Sequence, residues 1–326
     1  MPSISLAVSL RSLAALAALG VAAAAHAGTV TVCLDGTCDF TDPAGAVNAA
    51  VAGDTVLIAA GTYPLTSTVS SYGKHLTIRG AVDAQGRPAT VLDGQGQRNV
   101  LGALSVTSQM RFENLVVTNG RADYGGGVFL SSASPVFQNC HIRDNVARFS
   151  GGGIFLSQTC SPTLIGCEIT GNHAGTAKWP GEGSGGAMRL GSGVVTLVDC
   201  AVRGNSADGF GGGFILVSAS TLVLESTRVC GNSAPNGAQV HLNGGGGSLI
   251  EGAGSCISND CDDCPEAPAC PADLNGDALV NAADLAALLA GWGSCGKGAC
   301  PVDLNGDGAV NAADLSVLLA SWGGCD

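Results

Sequence analysis

The feature that most constrains this chain is an internal repeat. Five segments align: MRFENLVVTNGRADYGGGVFL from Met110, VFQNCHIRDNVARFSGGGIFL from Val136, and TLIGCEITGNHAG…GSGGAMRL from Thr163, followed by TLVDCAVRGNSADGFGGGFIL from Thr196 and LVLESTRVCGNSAPNGAQVHL from Leu222. Anchored on Phe112, Phe137, Leu164, Leu197 and Leu224, they recur after 25, 27, 33 and 27 residues. Each unit holds short β-type runs, an Asn-containing turn and a glycine cluster. Such a unit cannot bury its own apolar side and must stack on its neighbours. The columns agree with stacking. Leu115, Cys140, Cys167, Cys200 and Thr227 share one position, and Val117, Ile142, Ile169, Val202 and Val229 fall two residues later, on the same side of a strand. Asn145, Asn172, Asn205 and Asn232 make a third column, at a turn where a side-chain amide can bond neighbouring backbone. Coils of about 25 residues with strands about 4.8 Å apart describe an all-β parallel β-helix. The same architecture extends upstream. Pro43 to Val51 is a short apolar helix suited to cover the open first coil, and strands are expected at 55–59, 76–79 and 90–92.

Composition supports this. The chain has 50 Gly without a collagen period, which points to many tight turns. Residues 1–27 read as a signal peptide. Arg11 gives the basic start, Leu13–Ala25 is apolar, and Ala25-His26-Ala27 fits the small-x-small cleavage rule. That run is too short to span about 30 Å of hydrocarbon, so export to an extracellular or cell-surface location is expected. All 14 Cys lie downstream of the cut, as suits an oxidising compartment. A net charge of −12 argues against a nucleic-acid partner and suits divalent cations. The Cys140, Cys167 and Cys200 column is expected to be unpaired core thiols. Residues 252–269 form a polar, Cys-rich linker. Cys256, Cys261, Cys264 and Cys270 offer a zinc cluster or disulfides, and export favours disulfides.

The last segment, 270–326, is a duplication: DLNGDALVNAADLAALLAGWG from Asp273 and DLNGDGAVNAADLSVLLASWG from Asp303. Oxygen donors occupy loop positions 1, 3, 5, 9 and 12. They are Asp273, Asn275, Asp277, Asn281 and Asp284 in the first loop, and Asp303, Asn305, Asp307, Asn311 and Asp314 in the second. Backbone carbonyls of Leu279 and Ala309 stand at position 7. Calcium takes six to eight oxygens at about 2.3–2.6 Å, and this alternation turns donors about one ion per loop, two in all. After each loop Leu285, Leu288, Leu289 and Trp292, and likewise Leu315, Leu318, Leu319 and Trp322, fall at helical spacing and predict two apolar faces packed together. The disulfides Cys270–Cys325 and Cys295–Cys300 are expected: a pseudo-twofold exchanging Cys270 with Cys300 and Cys295 with Cys325 maps one onto the other, whereas Cys270–Cys295 would span a loop and most of a helix, beyond the Cα separation limit of about 7 Å.

Two family resemblances follow. AVNAAVAGDTVLIAAGTY…LTIRG resembles the opening of pectin-lyase-like right-handed β-helix proteins, and the later NC…GN.A…GGG units resemble repeats of secreted and outer-membrane β-helix proteins, together covering roughly 29–250 of a β-helix domain expected at 28–251. The doubled loop–helix segment resembles the dockerin type I family over 270–326. That resemblance implies a cohesin-like partner and calcium-dependent docking. The sequence departs from the pattern in two places. Loop position 6 is Gly308 in the second copy but Ala278 in the first, so the first site is expected to be weaker. Positions 10 and 11, often hydroxylated in cellulosomal dockerins, are Ala282-Ala283 and Ala312-Ala313, which sets the partner apart from a standard cohesin.

The β-helix carries no matched catalytic set. The pectin-lyase-like resemblance implies a polysaccharide ligand, and one constellation would suit it. His141 and Glu168, one coil apart, lie beside Arg143 and Arg203 on an outward strand face. The long turn Gly175–Ser184 adds Lys178, Trp179 and Glu182 as sugar contacts. A lyase would use Arg143 or Arg203 as base. Turn-tip aromatics Tyr124, Phe149 and Phe210 adjoin glycine clusters. Two expectations stay open: a polysaccharide lyase or glycoside hydrolase, and a non-catalytic surface or adhesin-type rod.

Overall fold

A computed structural model describes residues 27–175, 182–244, 246–252, 254–264, 272–275, 279–295, 302–305 and 308–324. One coil shows how the solenoid is built. Strands Arg111–Glu113, Leu115–Thr118, Arg121–Tyr124 and Val128–Ser131 follow one another, and the next coil begins at Val136–Gln138. Stacked coils give three long parallel sheets. Sheet 1 has nine strands from Thr29–Val32 to Ser248–Glu251, sheet 2 eight from Gly61–Pro64 to Cys256–Ser258, and sheet 3 seven from Val69–Tyr72 to Val240–Asn243. A four-stranded ribbon fills the corner between sheets 2 and 3. The sharp corner between sheets 1 and 2 is turned by single residues at positive φ, Asn114 (56°), Asn139 (47°) and Asp199 (52°) among them. Asn and Asp bear that conformation better than most residues because their short side chains bond locally.

The expected columns are the observed register. Ile142 pairs with Val117 and Ile169, and Val202 with Ile169 and Val229. Phe112 and Phe137 stack inside, ring centroids 4.8 Å apart. Cys140, Cys167 and Cys200 are buried free thiols, as expected, and Cys160 is a fourth. Burial pushes the Cys140 and Cys200 thiols well above the ordinary range, so they pack as small apolar groups.

The Asn column is a buried amide ladder. Asn145 Nδ2 donates to Asn172 Oδ1 (3.0 Å), Asn172 Nδ2 to Asn205 Oδ1 (2.9 Å), and Asn205 Nδ2 to Asn232 Oδ1 (2.9 Å). Gln239 Oε1 accepts from the last of them, at 2.7 Å. The glycine clusters pack beside this ladder. A Cβ on Gly126 would meet the Gly152 carbonyl and the Val146 backbone of the next coil, so only glycine lets the coils close there.

Both ends are covered. Helix α1 (Pro43–Ala49) starts at Asp42, whose Oδ2 accepts from Gly45 N at 2.8 Å, and buries Pro43, Ala44, Ala46 and Val47 on the first coil. At the other end the segment expected to be linker contributes Cys256–Ser258 to sheet 2, and the disulfides Cys230–Cys261 and Cys256–Cys264 staple it down. The alternative of a zinc site at Cys261 and Cys264 is thereby excluded, since both sulfurs are in disulfides. Cys33–Cys38 is a further bridge, which the spacing alone did not suggest.

In the last segment α2 (Ala282–Ala290) and α3 (Ala312–Ala320) contact each other. Two short antiparallel pairs cross between repeats, Leu279–Val280 with Gly323–Gly324 and Gly293–Ser294 with Ala309–Val310. The core is Ala272, Val280, Leu288, Val310 and Leu318, flanked by Leu285 and Leu315. This corrects the expected helix faces: Leu289, Trp292, Leu319 and Trp322 are about half exposed. The crossed strands supply Val280 and Val310 to the core, and little of each helix face is then needed. Cys295 is disulfide-bonded. Its partner, and Cys270, Cys300 and Cys325 of the expected pairs, lie outside the described residues.

Candidate functional site

The loops before α2 and α3 close on a carboxylate. Asp284 Oδ1 accepts from the backbone N–H groups of Leu274 (2.8 Å) and Asn275 (3.1 Å), and its Oδ2 from that of Asn281 (2.9 Å). Asp314 repeats the pattern on Leu304, Asn305 and Asn311 at 2.8, 3.1 and 2.8 Å. Both aspartates are fully buried. The N–H bonds from Asn311, Asn305 and Leu304, the first the strongest, hold the Asp314 carboxyl below its ordinary value against the opposing effect of burial. Asn281 and Asn311 also cap their helices through Oδ1, in reciprocal capping boxes. With their amides turned toward the clip, the loops offer an all-oxygen donor set: the carboxylates of Asp273 and Asp303, the amide oxygens of Asn275 and Asn305, and the carbonyls of Leu279 and Ala309. Hard oxygen donors without nitrogen or sulfur fit calcium rather than a softer metal. Asp277 and Asp307, at position 5, lie outside the described residues. Among the described residues no three His, Cys, Asp or Glu side chains converge.

The sequence-predicted cluster on sheet 2 is brought together only in part. His141 is the register partner of Glu168, and Arg143 lies in register with Thr170 and Arg203. Arg203 reaches Glu168 at 3.8 Å, whereas Arg143 pairs with its neighbour Asp144 at 3.0 Å. The cleft here is small, about 230 Å³, lined by Glu168, Ala201, Arg203, Arg228 and Cys230. Lys178 and Trp179 lie outside the described residues. Glu182 is exposed, and it faces a different sheet.

That sheet holds the groove the sequence did not reveal. The outward column of sheet 3 runs Ser70, Gly102, Phe129, Phe155, Arg189, Ile215, His241 in register. Phe129 stacks on Phe155 with centroids 5.6 Å apart, Arg189 lies 4.7 Å over the Phe155 ring, and Tyr124 packs on both Phe155 and Phe149. Arg189 is anchored by Nη1 donating to the Leu156 carbonyl at 2.9 Å. A cleft of about 440 Å³ opens along this column, lined by Tyr124, Phe149, Phe155, Glu182, Arg189 and Asn243. Such a wall presents the exposed Tyr124 ring, backed by the buried Phe155, together with one fixed cation and one carboxylate. These are the groups that hold a sugar ring by stacking on its apolar side and bonding its hydroxyls or acid group.

The ribbon corner also places Ser206, His173 and Asp208 together, with Ser206 Oγ 2.9 Å from His173 Nδ1 and His173 Nε2 3.6 Å from Asp208. Their order resembles a nucleophile–base–acid set. However, the N–H groups of Ser206, Ala207, Asp208 and Gly209 all donate to carbonyls of neighbouring coils. None is left to hold a developing oxyanion, and the three side chains form a polar ladder.

The chain belongs to the family described as right handed beta helix region, whose profile matches residues 101–263, half of its length. The dockerin type I domain profile matches residues 271–320. The protein therefore joins a right-handed parallel β-helix to a dockerin domain. Among solved structures, pectate lyase Pel9A is similar at 20% identity with a TM-score of 0.42, over 57% of this chain and 47% of that one. This chain thus spans about half of that lyase's length. A pectin methylesterase from Aspergillus niger is similar at 14% identity with a TM-score of 0.35, over 72% of this chain and 89% of that one. None of the curated protein sequences matches the chain. Among the described residues no helix is long and apolar enough to cross a membrane.

Proposed function

We propose that this is an exported docking protein that holds polysaccharide along sheet 3 and attaches through its calcium-loaded dockerin domain to a cohesin-like module. The observation that carries the first half is the Phe129–Phe155–Arg189 column with the Tyr124 wall. The sheet 2 cluster offers a smaller cleft, whose Arg203 is engaged by Glu168 and Arg228 by the Cys264 carbonyl, so the sugar site is assigned to sheet 3. For the second half, Asp273, Asn275, Asp277, the Leu279 carbonyl, Asn281 and Asp284 would hold one calcium, and their counterparts from Asp303 to Asp314 the other. The bound ions would neutralise the loop carboxylates and order two repeats whose shared core is small. The exposed Leu289, Trp292, Leu319 and Trp322 give the loaded domain an apolar contact face.

The test is binding of the full chain to pectate, alginate and neutral glycans by affinity electrophoresis with calcium present, while unsaturated product and reducing ends are followed. Arg189→Ala is expected to weaken retardation by acidic glycans at least about tenfold, the scale of one lost charged contact. Arg203→Ala is expected to leave it unchanged. Loss of binding in Arg203→Ala alone, or product release abolished by it, returns the site to sheet 2.

A further inference from the structure

In the coil of Thr77–Gly80 and Thr90–Asp93, the corner between sheets 1 and 2 is not turned by one residue. Residues 81–89 leave it as a hairpin, with Val82 bridged to Pro88, Asp83 N donating to the Arg87 carbonyl at 2.9 Å, and Gly86 at its tip at φ 75°. The hairpin lies back along the corner. Asn139 Nδ2, two coils on, donates to the Gly86 carbonyl at 2.9 Å and to Asn114 Oδ1 at the same distance. Nothing in the solenoid requires this excursion. Its tip meets the dockerin domain instead: a Cβ on Gly86 would collide with the carbonyl oxygen of Asn275. Behind this contact a cleft of about 760 Å³ runs between the two parts, with Arg79, Arg111 and Glu113 on the β-helix side and Leu274, Asn275 and Ala283 on the other. The repeats are otherwise matched, yet Asn275 is half-buried while its counterpart Asn305 is exposed.

We propose that the 81–89 hairpin is a built-in seat for the first calcium loop, so that ordering of that loop and its seating on the β-helix are one event. Asn275 is both the donor at loop position 3 and the residue resting on Gly86, and its N–H is held by the Asp284 clip. A loop that loses its ion loses the conformation that presents this carbonyl. The second loop, whose Asn305 is exposed, loads independently. The inference rests on the calcium reading above and deepens it.

Hydrogen exchange of the full chain, with calcium and with chelator, is the experiment, read beside far-UV circular dichroism. Peptides covering 82–88 are expected to exchange about tenfold or more faster in chelator, because the contact of Asn275 on the Gly86 tip that holds the hairpin is released. Peptides covering 111–118 should be unchanged. With calcium present, Gly86→Val should reproduce the faster exchange of 82–88 and weaken one of the two calcium sites. Gly73→Val is the control, because Gly73 also has positive φ (66°) but no atom near its Cβ position. Loss of helical signal in chelator with 82–88 still protected would overturn the seat and leave the calcium sites standing. A helical signal indifferent to chelator would remove the calcium reading and this inference together. Identical behaviour of the Gly86 and Gly73 variants would also overturn the seat.

Discussion

Replacing Asn172 with Ala tests whether the buried amides hold the coils together. Asn172 Nδ2 donates to the Ile142 carbonyl at 2.8 Å and to Asn205 Oδ1 at 2.9 Å, while its Oδ1 accepts from the N–H and the Nδ2 of Asn145, at 3.1 and 3.0 Å. Asn205 Oδ1 keeps another donor, the Asn172 N–H at 3.0 Å, and Asn145 Nδ2 keeps Val117 and Arg143. The loss that leaves a buried backbone group without a partner therefore falls on the Asn145 N–H, since the Ile142 carbonyl remains in the sheet 2 ladder. At about 2 kcal/mol for a group stripped of its partner, the variant should lose about 2 kcal/mol. In a solenoid of this size that lowers the melting temperature by roughly 4–8 °C. Thermal unfolding by circular dichroism measures it, with exposed Asn48→Ala as a control expected within about 0.5 kcal/mol of the parent. A loss under about 1 kcal/mol in Asn172→Ala would show that coil stacking does not depend on the ladder.

Two other substitutions probe the ends and the side of the rod. Lys74 Nζ donates to the carbonyls of Val47, Asn48 and Ala50 at 2.7, 3.0 and 3.0 Å, closing the C-terminal end of α1, so Lys74→Met should cost about 2 kcal/mol in urea unfolding; an unchanged midpoint would refute the cap. Burial alone would push the Glu113 carboxyl up, but bonds from Arg111 (2.5 Å) and Arg79 (2.6 Å) outweigh it and hold the group below its ordinary 4.5. Its stabilisation is then complete above that value and lost as pH falls through the lower folded one. Glu113→Gln should melt lower than the parent at neutral pH, with the gap closing on acidification; a gap that is independent of pH would refute the ion-pair account.

Much of this architecture was legible because stacking forces chemistry to repeat. The Cys, Val/Ile and Asn columns could be read directly, since residues one coil apart must fill equivalent space, and the structure places each column in register. The loop spacing was legible for the same reason: a duplicated set of oxygens is hard to produce by chance. The sheet 3 groove was not legible. Phe129, Phe155, Arg189, Ile215 and His241 occupy one column but share no chemistry, so alignment by similarity hides them. The signal that could have found them is position: Phe129, Phe155 and Ile215 fall two residues past a glycine cluster, and Arg189 and His241 at the aligned place in their coils. Leu289, Trp292, Leu319 and Trp322 misled for another reason. Helical spacing identifies a face but cannot say whether strands from the other repeat already fill the core beneath it. His173 and Ser206 each follow a ladder Asn and are register partners, so their proximity was readable from that column.

The two irregular insertions lie on different sides of the rod, and this bears on how the parts work together. Regular coils are locked by single-residue corners and the amide ladder, so extra residues can enter only where a turn leaves the stack. One insertion, the 81–89 hairpin, sits at the corner of sheets 1 and 2 under the first calcium loop. The other, the long turn ending at Glu182 and Ser184, borders sheet 3 beside Phe149 and Arg189. A dockerin domain seated on the hairpin therefore leaves the aromatic groove open, and a glycan in that groove does not meet the calcium loops. On the proposed function, docking and polysaccharide binding are then independent: a saturating glycan should leave calcium affinity unchanged, and chelation should leave glycan retardation unchanged. If chelation weakens glycan binding in step with the release of 82–88, the two sites share a surface and the separation argued from the sheet topology is wrong.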